Sequence, residues 1–186
     1  LVTVSEDGVE IPAVYKPRRG DRPLWDFPTG TLYLREQAAL LVSESLGWDL
    51  VPPTVVRLGK HGPGSVERLS DPDPNQHYFS LEGDPSFRAS LQKMALLDVA
   101  INNADRKGGH VIVEKSAGRE DTPLLETAQI WGIDHGICFH EDYKLRTVIW
   151  EFAGEPIPLK LMTNLQSLQH KLQDPHCELS VRLGTL

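Results

Sequence analysis

Val9, Ile11, Ala13 and Tyr15 occupy every second position, the period of a strand with one apolar face. Glu6-Asp7-Gly8 ahead of them predicts a tight turn from a preceding strand at residues 1–5. Lys16 then falls at the end of a strand, on the face opposite Tyr15. From Leu34 the period changes. Leu34, Ala38, Leu41 and Val42 recur at helical spacing, with Glu36 in the first turns and Gly47 placed to stop the helix. Val51-Pro52-Pro53 breaks the chain, the β-branched run at 54–58 predicts a strand, and GKHGPG turns it back into another at 65–69. SDPDPNQ, residues 70–76, reads as a polar connector. Trp25 and Phe27, in RPLWDFPTG, are expected to pack between strand and helix.

In the second half, Leu91, Met94, Leu97 and Ile101 stand at steps of three and four, an apolar helical stripe that ends at Asn102. Asp98 interrupts this stretch and is expected to face solvent. Residues 110–114 and 130–134 predict a two-stranded hairpin around a polar excursion at 115–129. Between helix and hairpin lies NNADRKGGH, residues 102–110, dense in amides, charge and glycine. Its asparagines are expected to end the helix and to position the rest of the loop. Loops set between regular elements in this way often carry chemistry.

Composition narrows the class. A chain of 186 residues suffices for one domain with a real core. The formal charge of -7 excludes sequence-independent nucleic-acid binding, which needs a basic footprint. Cys138 and Cys177 form no CxxC spacing, which suits a reducing, cytoplasmic setting. No apolar run reaches the length of a membrane span, and no leader pattern is present.

Asp105 lies just before one hairpin strand and Asp134 just after the other, so both carboxylates belong to the same end. Such a pair attracts a divalent cation. Lys16, from the first half, brings a fixed positive charge toward a polyphosphate, and the set matches the needs of phosphoryl transfer. A metal-dependent hydrolase built from Asp105, His110, Asp134 and either His135 or His140 is an alternative, but it leaves Lys16 and Glu36 without a role. His135 and His140 are otherwise expected to be structural or exposed.

VYKP at 14–17, REQAALLVSESLGWDLVPPTVVRLG at 35–59, GSVERL at 64–69, NNADRKGGH and WGIDHGICFH at 131–140 succeed one another in a telling order. Over roughly residues 1–158 the chain resembles phosphatidylinositol 3- and 4-kinase-like proteins. The likeness is greatest to type II phosphatidylinositol 4-kinases and to actinobacterial phosphatidylinositol-kinase-like proteins.

The resemblance implies an α+β, bilobal, protein-kinase-like fold. A small β-rich N-lobe with one helix would span 1–70, and a mainly helical C-lobe 71–186. It implies that Lys16 contacts the nucleotide phosphates and that Glu36 pairs with it. The segment Glu67, Arg68, Leu69 and Ser70 matches the hinge whose backbone holds adenine. Asp105, followed by Arg106, matches the catalytic aspartate of D-R-x-x-x-N, and Asp134 the metal-binding aspartate of D-x-G. His110 stands where that pattern has a metal-binding asparagine. The phosphate-covering loop expected ahead of Leu1 is not in this chain, so the domain is expected to be truncated at both ends. ATP with Mg²⁺ or Mn²⁺ is the implied cofactor, with a protein, small-molecule or lipid acceptor. A nucleotide-binding regulatory module without catalysis is the alternative. Residues 139–158 hold Lys144 and Arg146 against Glu141, Asp142, Glu151 and Glu155, a balance unsuited to an anionic membrane.

Overall fold

Asp7 and Gly8, at φ 49° and 81°, close the two-residue turn that the sequence marks. They join β1 (Val2–Glu6) to β2 (Val9–Pro17) as an antiparallel hairpin. The computed structural model describes residues 1–115 and 128–186, so most of the polar excursion expected inside the later hairpin lies outside the described residues. The first sheet has the order β1-β2-β4-β3, with β3 at Thr54–Gly59 and β4 at Gly62–Arg68. Lys16 sits opposite Ser65 and Val14 opposite Glu67, which puts Lys16 and Glu67 on one face of this sheet. Tyr15, Val66 and Arg68 take the other.

The first helix, α1 (Leu32–Leu46), ends at Gly47 with φ 64°, a left-handed cap that glycine adopts without a Cβ penalty. Residues 38–43 are buried without interruption, more than one apolar stripe would give. The reason is that α1 is covered on several sides, by β3 and β4 and by two late helices, α4 (Leu159–Gln173) and α5 (Glu178–Gly184).

Two short elements, β5 (Pro72–His77) and α2 (Tyr78–Leu81), lead into α3 (Arg88–Ala100). Leu91, Met94, Leu97 and Ile101 are all 0% exposed and form one core with Val111, Val113 and Ile130. Full burial of each large side chain contributes about 1.5–3 kcal/mol. Those last residues belong to β6 (Val111–Lys115) and β7 (Ala128–Gly132), the expected hairpin, which with β5 forms a sheet of order β5-β6-β7.

Two expectations need correction. The connector at 70–76 contains a strand, because Pro72 and Pro74 lie on a sheet edge, where a missing N–H is tolerated, and the pairing with β6 is irregular. Within residues 71–186 the helices still outweigh these strands. Trp25 is 95% exposed, with the Lys144 ammonium over its ring at 5.1 Å, whereas Phe27 is buried against Arg35 and His140.

Candidate active site

The Lys16 ammonium lies 2.9 Å from Glu36 Oε1 and 2.7 Å from Asp134 Oδ1. The strand end, the helix and the turn after β7 therefore meet in one contact. Glu36 uses its second oxygen as well, accepting the His135 backbone N–H at 2.9 Å. Asp134 sits at φ 59°, a left-handed bend two residues beyond β7. Burial alone would lower the Lys16 pKa, but Glu36, Glu67 and Asp134 outweigh it and raise it above the usual lysine range. Burial raises Asp134, yet the Lys16 charge and hydrogen bond prevail and hold it below the ordinary carboxylate value.

The loop at 102–110 is built by its own amides. Asn102, at φ 49°, donates through Nδ2 to the carbonyls of His140 and Asp142 at 2.9 and 2.7 Å and accepts the Lys144 N–H at 2.9 Å. Asn103 accepts the Asp105 N–H through Oδ1 at 2.9 Å, fixing the backbone of the acid. The Asp105 carboxylate receives Lys107 Nζ at 2.8 Å. Residues 108–110 form a single 3-10 turn. A Cβ on Gly108 would lie 2.5 Å from Phe79 Cε2, so the close approach of that ring requires glycine; Gly109 has open space around it. His110 ends the turn with Nε2 3.4 Å from Asp134 Oδ2. Burial lowers its pKa, assisted by the charges of Arg106 and Lys107 against Asp134 and Asp105.

Beneath this surface runs a network that sequence reasoning missed. Asp98 is 0% exposed rather than solvent-facing. Arg106 donates to it through Nε at 3.0 and 3.2 Å and through Nη2 at 2.9 Å. Asn103 Nδ2 and Thr147 Oγ1 donate to the same carboxylate, each at 2.9 Å. Arg106 Nη2 also lies 2.8 Å from His135 Nε2, and Nη1 donates to the carbonyls of His110 and Ile133 at 3.2 Å. Burial and the neighbouring Arg106 charge push the His135 pKa well down, so the ring is neutral and accepts from the guanidinium. Arg106 thereby pins the loop of Asp105 to the bend at Asp134. A signal existed: Asp98 falls on the stripe, four residues after Met94 and three before Ile101.

The expected hinge is only partly gathered here. Glu67, 5% exposed, is close enough to Lys16 to feel its charge; burial raises its carboxyl to about 7 against that attraction, and Oε2 has no partner among the described residues. Arg68 points the other way, to Glu114 at 3.1 and 2.6 Å and over Trp131. The N–H groups of Arg68 and Leu69 already donate to Pro53 and Pro12 at 2.8 and 2.9 Å. Ser70 is buried, its hydroxyl without a partner among the described residues.

Among the described residues no three metal-ligating side chains converge. Asp134 and His110 offer two donors side by side, a set that fits an ion taking its other ligands from phosphate and water. His135 is committed to Arg106, and His140 to the Asp26 carbonyl at 2.8 Å, which removes both from a hydrolytic metal site.

The model of the family described as Phosphatidylinositol 3- and 4-kinase matches residues 60–178. The chain belongs to that family. Protein Rv2133c of Mycobacterium tuberculosis (strain ATCC 25618 / H37Rv) is 38% identical over 89% of this chain and 67% of its own length. Two Arabidopsis thaliana proteins, phosphatidylinositol 4-kinase gamma 1 and gamma 8, are 32% and 30% identical over 61% and 71% of the chain. The chain spans only 23% and 28% of those plant kinases. The family match begins within the turn between β3 and β4, so Lys16 and Glu36 enter the site on geometry rather than on that match.

Proposed function

We propose that this member of the phosphatidylinositol 3- and 4-kinase family is an ATP-dependent phosphotransferase of bilobal, kinase-like architecture, with residues 1–70 as the nucleotide lobe. One observation carries the reading: Lys16 bridges Glu36 and Asp134 while Arg106 ties the Asp105 loop to the same bend. In this assignment Lys16 aligns the phosphates and Glu36 holds Lys16. The backbone from Glu67 through Ser70 borders adenine. Asp105 takes the acceptor hydroxyl's proton, a role that Arg106 supports by positioning. Asp134 and His110 hold the divalent ion, Mg²⁺ or Mn²⁺, which neutralises phosphate charge when bound.

The acceptor in this proposal is a hydroxyl of a protein or small molecule. The acidic stretch at 139–158 supports that choice, and its base Lys144 is already engaged by Asp26. The test is incubation of the chain with ATP and Mg²⁺ or Mn²⁺, separately with phosphatidylinositol vesicles, proteins and polyols, following phosphoryl transfer and thermal stability. Nucleotide-dependent stabilisation with transfer to a soluble acceptor is expected. Absence of any nucleotide effect with either metal rejects the reading, and transfer to vesicles alone rejects the acceptor.

A further inference from the structure

Resting on the phosphotransferase reading, we infer that His110 is a direct nitrogen ligand of the nucleotide-bound ion, and that this ligand shifts the preferred metal from Mg²⁺ toward Mn²⁺. The geometry of the ring is the first argument. His110 Nε2 and Asp134 Oδ2 are 3.4 Å apart, longer than a strong hydrogen bond, whereas ligands at adjacent corners of an octahedral ion stand roughly 3 Å from each other. The second is that, among the described residues, no hydrogen bond to Nδ1 holds the ring, so Nε2, beside Asp134, is the nitrogen placed toward an ion. The third is rigidity. The His110 carbonyl accepts from the Ile133 N–H at 3.0 Å and from Arg106 Nη1 at 3.2 Å, which fixes the backbone from which the ring projects.

The donor sets the chemistry. A neutral imidazole carries the free lone pair that a metal ion takes. An imidazole nitrogen suits first-row transition ions, while Mg²⁺ strongly prefers oxygen. Asp134 supplies the oxygen that either ion accepts, so the nitrogen alone makes the discrimination.

The experiment is pulsed electron paramagnetic resonance on the full chain with Mn²⁺ and ATP, using protein labelled with ¹⁵N-histidine and unlabelled protein. A bound histidine nitrogen gives a hyperfine coupling that changes with the label, which separates it from adenine nitrogens. His110→Asn should lose this coupling, and its Mn²⁺-to-Mg²⁺ ratio of ATP affinity should fall on the order of tenfold. Mn²⁺ and ATP bound with no histidine coupling would overturn the ligand assignment and leave the phosphotransferase reading standing. Failure of the wild-type chain to bind ATP with either ion would overturn both. The labelled wild-type protein decides the matter even if the variant folds poorly.

Discussion

Asp98 and Arg106 form an ion pair with both side chains 0% exposed, eight residues apart across the end of α3. Both oxygens of the carboxylate are engaged, by Arg106, Asn103 and Thr147, so the desolvation of the two charges is matched by hydrogen bonds. Removing one partner leaves the other charge buried and alone. Asp98→Ala should therefore lose about 3–5 kcal/mol of folding stability, and Asp98→Asn clearly less, since it keeps one acceptor for the guanidinium. Chemical denaturation of the two variants checks this, and equal stability of Asp98→Ala and wild type would show that the pair does not hold the loop.

The same residue shows where the sequence stopped being legible. Hydrophobic period located α1 and α3, which bury a face and must pattern accordingly, and alternation marked β2 although Val9 and Ile11 stay exposed. Pattern could not place Asp98, since a polar residue on an apolar stripe is buried only if distant partners reach it, here Arg106 and Thr147. It also could not place Trp25, whose size argued for packing while the ring stands in solvent beneath Lys144. β5 was hidden because an edge strand needs neither alternation nor every N–H. The chemical residues were more legible than the fold around them: the convergence of Lys16, Glu36, Asp134 and His110 was implied by motif order, whereas the outward turn of Arg68 depends on strand parity.

Trp25→Ala tests the exposed aromatic directly. A side chain 95% exposed contributes little burial, so the variant should unfold within about 0.5 kcal/mol of wild type. Phe27→Ala, beneath the Arg35 guanidinium at 4.9 Å, should lose about 3 kcal/mol or more. Thermal and denaturant melts of the pair provide the comparison, and a large loss at Trp25 would mean that another surface covers it.

The proposed phosphotransfer assigns different failures to the two acids. Asp105→Asn keeps the backbone bond from residue 105 to Asn103 and leaves Asp134 untouched, so nucleotide affinity should persist while transfer slows roughly 10²- to 10⁴-fold. Asp134→Asn removes the charge that faces both Lys16 and His110 and should abolish metal-dependent nucleotide binding. Single-turnover rates and ATP titrations separate them. Wild-type transfer by both variants would remove this cleft from the reaction.

Glu67 offers a prediction in pH. Burial raises its carboxyl from 4.5 to about 7 in the folded chain, partly countered by Lys16 and reinforced by Glu36 and Asp134. An acid whose folded value is raised is protonated in both states below the unfolded value, so it adds no pH dependence there. As pH climbs from about 4.5 toward 7, the unfolded chain releases the proton first, and the folded state loses up to about 1.4 kcal/mol per unit from this group. Above the folded value the loss is complete and constant. Glu67→Gln keeps the shape, avoids the ionisation and leaves Lys16 its contacts with Glu36 and Asp134. Its stability relative to wild type should therefore rise between about pH 5 and 7 and level off by about pH 8. Denaturant melts of both proteins across that range provide the measurement, and parallel curves would show that Glu67 titrates as an ordinary carboxylate.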